Sequence, residues 1–259
     1  MSLLNWIILF SLLGGVLSVL AAALFLLIPG FIRDRLLPHL VSFAIGALLG
    51  AAFLALLPHS LAGTDDFHLL GLTVLLGLLG FFLLEKMVLW RHCHHEVCEA
   101  HTPEPHTHGS HAAAGTLILI GDGVHNLVDG VLIAAAFMTD IHLGIVTAMA
   151  VAAHEIPQEV GDFAVLLHSG FSRRKAFVFN VLSSLTTIIG ALLAYYSLAD
   201  MQDALPYVLA IAASSFIYIA VADLIPGLHK RVEISATVQQ ILLILLGVLV
   251  IYLAHSTLH

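Results

Sequence analysis

Apolar residues run along this chain in long, nearly unbroken stretches rather than in alternation. Eight stretches stand out, at roughly 5–28, 38–60, 68–90, 114–138, 142–168, 176–199, 205–226 and 236–256. A helix needs about 20 apolar residues to cross the hydrocarbon core of a bilayer, so each predicts a spanning helix. Turn formers punctuate the pattern: Pro29-Gly30, Pro38, Pro58, Pro206 and Pro226-Gly227 sit at or near the predicted helix ends. The expected fold is an all-α membrane protein of eight transmembrane helices, one domain over residues 1–259. The first stretch lacks a basic leader and exceeds the apolar segment of a cleaved signal peptide, which predicts a retained span.

Composition narrows the class. The chain is 60% hydrophobic and only 10% charged, with a mean hydropathy of +1.03. Soluble domains carry about 25% charged residues, so a soluble core is excluded. The nine basic residues are Arg33, Arg35, Lys86, Arg91, Arg173, Arg174, Lys175, Lys230 and Arg231. With eight spans, all nine fall on one side of the membrane, which the positive-inside rule makes cytoplasmic. Asp65, Asp66, Asp140, Asp200 and Asp203 fall on the other. Both termini are then extracytoplasmic. The short length and short loops point to a prokaryotic cytoplasmic (inner) membrane. No basic patch exists for nucleic acid; the lipid bilayer is the partner that the composition implies. Cys93 and Cys98 fall in one polar segment, so no disulfide framework is expected.

The fourth and fifth stretches break the apolar rule. The fourth reads Gly121-Asp122-Gly123-Val124-His125-Asn126-Leu127-Val128-Asp129-Gly130, with His125 and Asp129 four residues apart on one helical face and Asp122 a turn before. The fifth reads His154-Glu155-Ile156-Pro157-Gln158-Glu159-Val160-Gly161-Asp162. An ionised side chain at mid-bilayer costs roughly 2.5–3.5 kcal/mol on insertion scales. These spans hold Asp122, Asp129, Glu155, Glu159 and Asp162 with no Lys or Arg between them. Such carboxylates repel one another unless a divalent cation, or protons in its absence, sits among them. Imidazole nitrogens with carboxylate and amide oxygens suit zinc and neighbouring transition metals better than calcium, which prefers all-oxygen shells. Pro157 removes the helical partner of the Ala153 carbonyl. Gly121, Gly123, Gly130 and Gly161 are expected to let the fourth and fifth helices pack as a pair.

Lesser signals flank this constellation. The segment at about 91–112 is expected to be a His-rich cytoplasmic loop, in which His92, His94, His95, His101, His106, His108 and His111 are loose metal candidates beside Cys93 and Cys98. Asp223 is expected to pair with Lys230 or Arg231. Asn180, Ser183, Ser184, Thr186 and Thr187 are expected to hydrogen-bond between helices. His59, His68 and His142 lie near outer helix ends, where lone histidines are usually interfacial.

The two polar motifs resemble those of the ZIP (Zrt/Irt-like) family of divalent metal transporters. GDGVHNLVDG is similar to the family's fourth-helix motif, and HEIPQEVGDF to the fifth-helix motif of the subgroup marked HExPHExGDF. Eight spans, outside termini and a His-rich third loop also match. The resemblance implies one metal position among His125, Asp129, His154 and Gln158, and a second at which Asn126 and Glu155 join Asp129 and Gln158. Asp122, Glu159 and Asp162 become secondary candidates along the pathway. It further implies an inverted repeat of helices 1–3 and 6–8 around helices 4–5, a homodimer, and uptake of Zn²⁺, with Cd²⁺, Fe²⁺ or Mn²⁺ as further cargo. The chain departs from the family at Gln158, where Glu or His is usual, and at Ala51 and Ala55, where the subgroup often has Asp and His. The expected function is therefore non-enzymatic metal transport. The alternatives are an intramembrane zinc-dependent hydrolase using His154 and Glu155, since HEIPQ is one residue from HExxH, and a membrane metal sensor or channel.

Overall fold

The computed structural model describes residues 1–93, 109–230 and 233–258, and all their regular structure is helical. Eight long helical segments follow one another: α1 (Leu3–Phe25), α2 (Gly30–Ala62), α3 (Phe67–Cys93), α4 (Gly109–Thr139), α5 (Ile141–His168), α6 (Arg173–Leu198), α7 (Gln202–Leu228) and α8 (Ile234–Leu258). Seven are long and apolar enough to cross a membrane. The eighth, α5, has 28 residues, about 42 Å at 1.5 Å per residue, but Glu155, Glu159 and Asp162 lower its apolarity. Large apolar side chains cover the outer faces of α3 (Leu72, Leu75, Leu76, Leu79) and α8 (Leu242, Leu245, Leu246, Leu249). A surface of that kind belongs in lipid rather than water.

Several helix bounds depart from those expected. The helix α2 starts eight residues early, directly after Pro29, and Pro38 lies inside it rather than at its end. The turn before Pro38 carries Arg33, Asp34 and Arg35, so it is too polar to register as a span although it continues the helix. The expected loop at 91–112 is also shorter at both ends. Arg91–Cys93 continues α3 and residues 109–112 open α4, which takes His92 and His111 into helices. Once nucleated, a helix gains one hydrogen bond per residue and so outlasts its apolar run. His94, His95, His101, His106 and His108 lie outside the described residues.

Interruptions in the helices carry a pattern of their own. The helix α1 breaks at Gly15 and α6 breaks at Leu185. The two breaks meet: a Cβ on Gly15 would lie 2.7 Å from the Ser184 carbonyl oxygen. Both α2 and α7 contain a π-helical turn, at Ala52–Leu56 and Ile219–Leu224, each followed two residues later by a proline, Pro58 or Pro226. Widening the turn accommodates a residue that has no N–H to give. The helices α3 and α8 run without a break.

The core is built of small residues that bring backbones together, with Ala134, Ala135, Ala136, Ala150, Ala212 and Ala213 fully buried around Phe137 and Phe216. The most intimate contacts join α4 to the second half of α6 and α2 to α8. Gly130 lies on the Thr187 carbonyl, and Gly190 on that of Leu127, so closely that a Cβ at either would overlap backbone. The expectation that glycines of the fourth helix serve its contact with the fifth is thereby corrected. Gly130 and Gly123 face α6, and Gly161 faces open space. Small residues do mark a close helix crossing, but sequence alone does not say which helix crosses.

Candidate metal centre

The start of α5 is set by Asp140, whose carboxylate accepts from the backbone N–H groups of His142 (2.8 Å) and Leu143 (3.0 Å). From that cap, His154 and Glu155 come about 20 Å along the helix, near its middle. His125 and Asp129 occupy the matching depth of α4, one turn apart on the face toward α5. Four side chains converge there. His125 Nε2 lies 3.2 Å from His154 Nε2, 3.5 Å from Glu155 Oε1 and 3.9 Å from Asp129 Oδ2. His154 Nε2 lies 3.3 Å from Asp129 Oδ2 and 3.8 Å from Glu155 Oε1. One ligand atom from each of the four fits within 4.8 Å of all the others.

The hydrogen bonding around the four determines which atoms face inward. His154 Nδ1 lies 3.1 Å from the Ala150 carbonyl oxygen, so it carries the proton and donates, leaving Nε2 as the atom presented to the cluster. Phe216 of α7 packs against this ring, with centroids 6.2 Å apart. Asp129, His154 and Glu155 are buried, and His125 alone is partly open. None of the four carboxylate oxygens of Asp129 and Glu155 receives a hydrogen bond. Buried carboxylates without donors are costly, and buried charges are ordinarily paired or bound to metal. Two imidazole nitrogens and two carboxylates around one point form a four-ligand set suited to zinc.

The other expected site residues have different surroundings. Asn126 is buried on the side of α4 that faces α6. Its amide donates to Asp122 Oδ1 (2.9 Å), and its Oδ1 accepts from the Thr187 hydroxyl (2.8 Å). That amide is already engaged, which places Asn126 and Asp122 in the α4–α6 contact. Gln158 is half-buried one turn along α5, and among the described residues no hydrogen bond joins it to the four. Glu159 is fully buried with both oxygens unpartnered, and the polar groups that bear on it are Asp122, Asp162 and Asn180.

Of the α6 hydroxyls, Thr187, Thr186 (to the Gly123 carbonyl, 2.7 Å) and Ser183 (to the Leu119 carbonyl, 3.3 Å) bridge to α4 as expected. Ser184 instead bonds within its own helix. Asp223 sits on the π-helical turn of α7; among the described residues no ion pair joins it to Lys230, and Arg231, its other expected partner, lies outside them. The wider turn re-aims a side chain that an ideal helix would direct elsewhere. Sequence reasoning passed over Tyr218, whose hydroxyl donates to Glu85 across α7 and α3. It also passed over His255, which faces His59. Neither sits in a polar run that would draw notice.

A bundle of apolar helices with a buried His₂-carboxylate₂ cluster at mid-depth defines a polytopic membrane protein with a candidate divalent-cation site. A sequence model of the family described as ZIP Zinc transporter matches residues 2–115 and 90–255 of this chain. "Zinc transporter ZIP13" of Pongo abelii is 33% identical over 231 residues, covering 84% of this chain and 66% of that protein. The Homo sapiens protein of the same name is 31% identical over 261 residues, covering 84% of this chain and 70% of that protein. "Zinc transporter foi" of Drosophila melanogaster is 40% identical over 141 residues, 53% of this chain and 19% of that protein. The chain belongs to the ZIP zinc transporter family. These relatives are animal proteins, so the prokaryotic inner membrane suggested by the short loops finds no support among them.

Proposed function

We propose that this chain carries divalent transition-metal ions, zinc foremost, across a membrane by way of the cluster formed by His125, Asp129, His154 and Glu155. The observation that carries the reading is the convergence of two imidazole nitrogens on carboxylates that have no hydrogen-bond donor. A divalent cation supplies what those oxygens lack. The names of the ZIP13 relatives agree on zinc. Cd²⁺, Fe²⁺ and Mn²⁺, which accept similar ligands, are the further cargo to be tested. Asn126 and Gln158 belong to this proposal only as groups that approach the ion during its passage, since Asn126 rests against α6. Asp122, Glu159 and Asp162 continue the acidic track toward the basic end of the bundle. The loop histidines are proposed as a loose cytoplasmic receiving surface.

In this reading α5 is an eighth crossing, and helices 1–3 and 6–8 are related by an inverted repeat. Support comes from the interruptions: α1 and α6 are each broken, α2 and α7 each carry a π-turn before a proline, and α3 and α8 are continuous. Partner choice follows the same rule, with α1 on α5 as α6 is on α4, and α2 on α8 as α7 is on α3. Repeats of this kind move one bundle against another to expose a midplane site alternately to each side. With eight crossings, the sequence positions of the basic residues fall on one side of the membrane, which in this reading puts the termini outside and moves the metal from the acidic end into the cytoplasm. A homodimer, implied by the resemblance, is part of the proposal and is tested by cross-linking in the membrane.

The hydrolase reading is less favoured by the site itself. In HExxH enzymes the glutamate is a general base standing off the metal, whereas Glu155 Oε1 sits among the ligand atoms. The test is uptake of Zn²⁺ into proteoliposomes loaded with a metal-responsive dye, with Cd²⁺, Fe²⁺ and Mn²⁺ alongside. Saturable uptake is expected, and its loss is expected in His125→Ala and Glu155→Ala. Single-channel currents in place of saturation would show a channel; zinc bound without uptake would show a sensor.

A further inference from the structure

A second pair of imidazoles meets between helices far from the central cluster. His59 lies near the end of α2 and His255 near the end of α8. Their ring centroids are 5.4 Å apart with the planes at 73°. The corresponding figures for His125 and His154, in the cluster, are 5.5 Å and 89°. Two imidazoles on one tetrahedral zinc, each with Zn–N of about 2.0–2.1 Å, bring their centroids to roughly 5 Å. The centroid spacing of the pair at the bundle end thus matches that of two imidazoles sharing a cation.

The supporting bonds repeat as well. His59 Nδ1 lies 2.9 Å from the carbonyl oxygen of Ala55, four residues back, as His154 Nδ1 lies 3.1 Å from that of Ala150. Such a bond holds the ring and its tautomer so that Nε2 is the ligating atom. The two helices are locked beneath the pair, because Gly46 lies on the Ile244 carbonyl and Gly50 packs on Val248 and Ile251. The rings are therefore held near each other by backbone contacts that do not depend on a ligand. Both histidines are half-buried, within reach of a hydrated ion. Among the described residues their end of the bundle carries Asp65, Asp66, Asp140, Asp200 and Asp203 and no Lys or Arg, a charge distribution that raises the local concentration of cations.

We propose that His59 and His255 form a second divalent-metal site at the acidic end of the bundle, two imidazole nitrogens with water completing the shell. Two neutral ligands hold zinc less tightly than a cluster with two carboxylates. An ion captured here is released inward rather than trapped. That role as a first station rests on the transport reading; the site itself does not.

The test is residue-resolved carbethoxylation of the full-length protein in nanodiscs, read by mass spectrometry, with and without Zn²⁺. It is run in wild type and in a His125→Ala, Glu155→Ala background that lacks the central cluster. Zinc is expected to slow modification of His59 and His255 together, in both backgrounds. His255→Gln is expected to weaken zinc protection of His59 by about 10-fold or more, and His59→Gln to do the same for His255. A doubly substituted His59→Cys, His255→Cys protein provides an independent arm, in which Cd²⁺ should shield both thiols from a maleimide jointly. Equal modification with and without metal, or protection of one residue that survives loss of the other, would overturn the pair. Uptake failing while joint protection persists would overturn the transport reading alone.

Discussion

Replacing Asp129 by asparagine should stabilise the metal-free protein and remove most of its stabilisation by zinc. Asp129 is buried, neither carboxylate oxygen receives a hydrogen bond, and its Oδ2 lies 3.3 Å from His154 Nε2 and 3.9 Å from His125 Nε2. Without metal, an unsatisfied buried group of this kind costs about 1–3 kcal/mol. The asparagine side chain keeps the shape, loses the charge and gains an N–H₂ that can donate to His154 Nε2, so most of that cost is recovered. For a protein of this length the midpoint of thermal unfolding moves by about 2–4 °C per kcal/mol. The chelated Asp129→Asn variant should therefore melt above chelated wild type by a few degrees.

Zinc reverses the order. At 100 times its dissociation constant, a ligand that binds only the native state stabilises by about 2.7 kcal/mol. Losing one of four ligands should weaken affinity by about 100-fold, at the upper end of what supporting groups alone are worth. At the same zinc concentration the variant's increment then falls to about 0.4 kcal/mol. The assay is thermal unfolding in detergent, with chelator and with zinc, for both proteins. A variant that melts below wild type in chelator, yet keeps the full zinc shift, would refute the reasoning.

Transport should slow as pH falls from about 7.5 to 5.5, because zinc must displace protons from imidazole and carboxylate ligands; a flat pH profile of uptake would count against this ligand set. Thr187→Val leaves the buried Asn126 Oδ1 without its donor and should cost about 1–3 kcal/mol of stability, seen as a lower unfolding midpoint. Gly190→Leu drives a side chain into the Leu127 carbonyl. It should cost at least about 1–3 kcal/mol by overpacking, visible as loss of monodisperse protein on size exclusion.

Much of this architecture is legible in the sequence because a bilayer leaves few choices. Apolar length and one-sided Lys and Arg mark the spans, and His125, Asp129, His154 and Glu155 are conspicuous because ionisable groups are so rarely placed there. Less legible is what turns on helix azimuth and partner. Asn126 and Asp129 lie three residues apart, yet one faces α6 and the other the cluster. Gly130 reads as a close approach without naming Thr187 as its neighbour. The π-turns before Pro58 and Pro226 change the angle between successive residues within them, so an ideal helical wheel misplaces Asp223, which lies inside the second. The pairing of His59 with His255 joins residues 196 positions apart, and no local pattern announces it.

The central claim is that one cation sits among four named side chains midway through the bundle. The most direct measurement is anomalous diffraction at the zinc edge from crystals of the zinc-loaded protein. The account predicts a peak within about 2.0–2.2 Å of His125 Nε2, His154 Nε2 and a carboxylate oxygen each of Asp129 and Glu155. A fully occupied peak elsewhere in the bundle, with no density between α4 and α5, would contradict it.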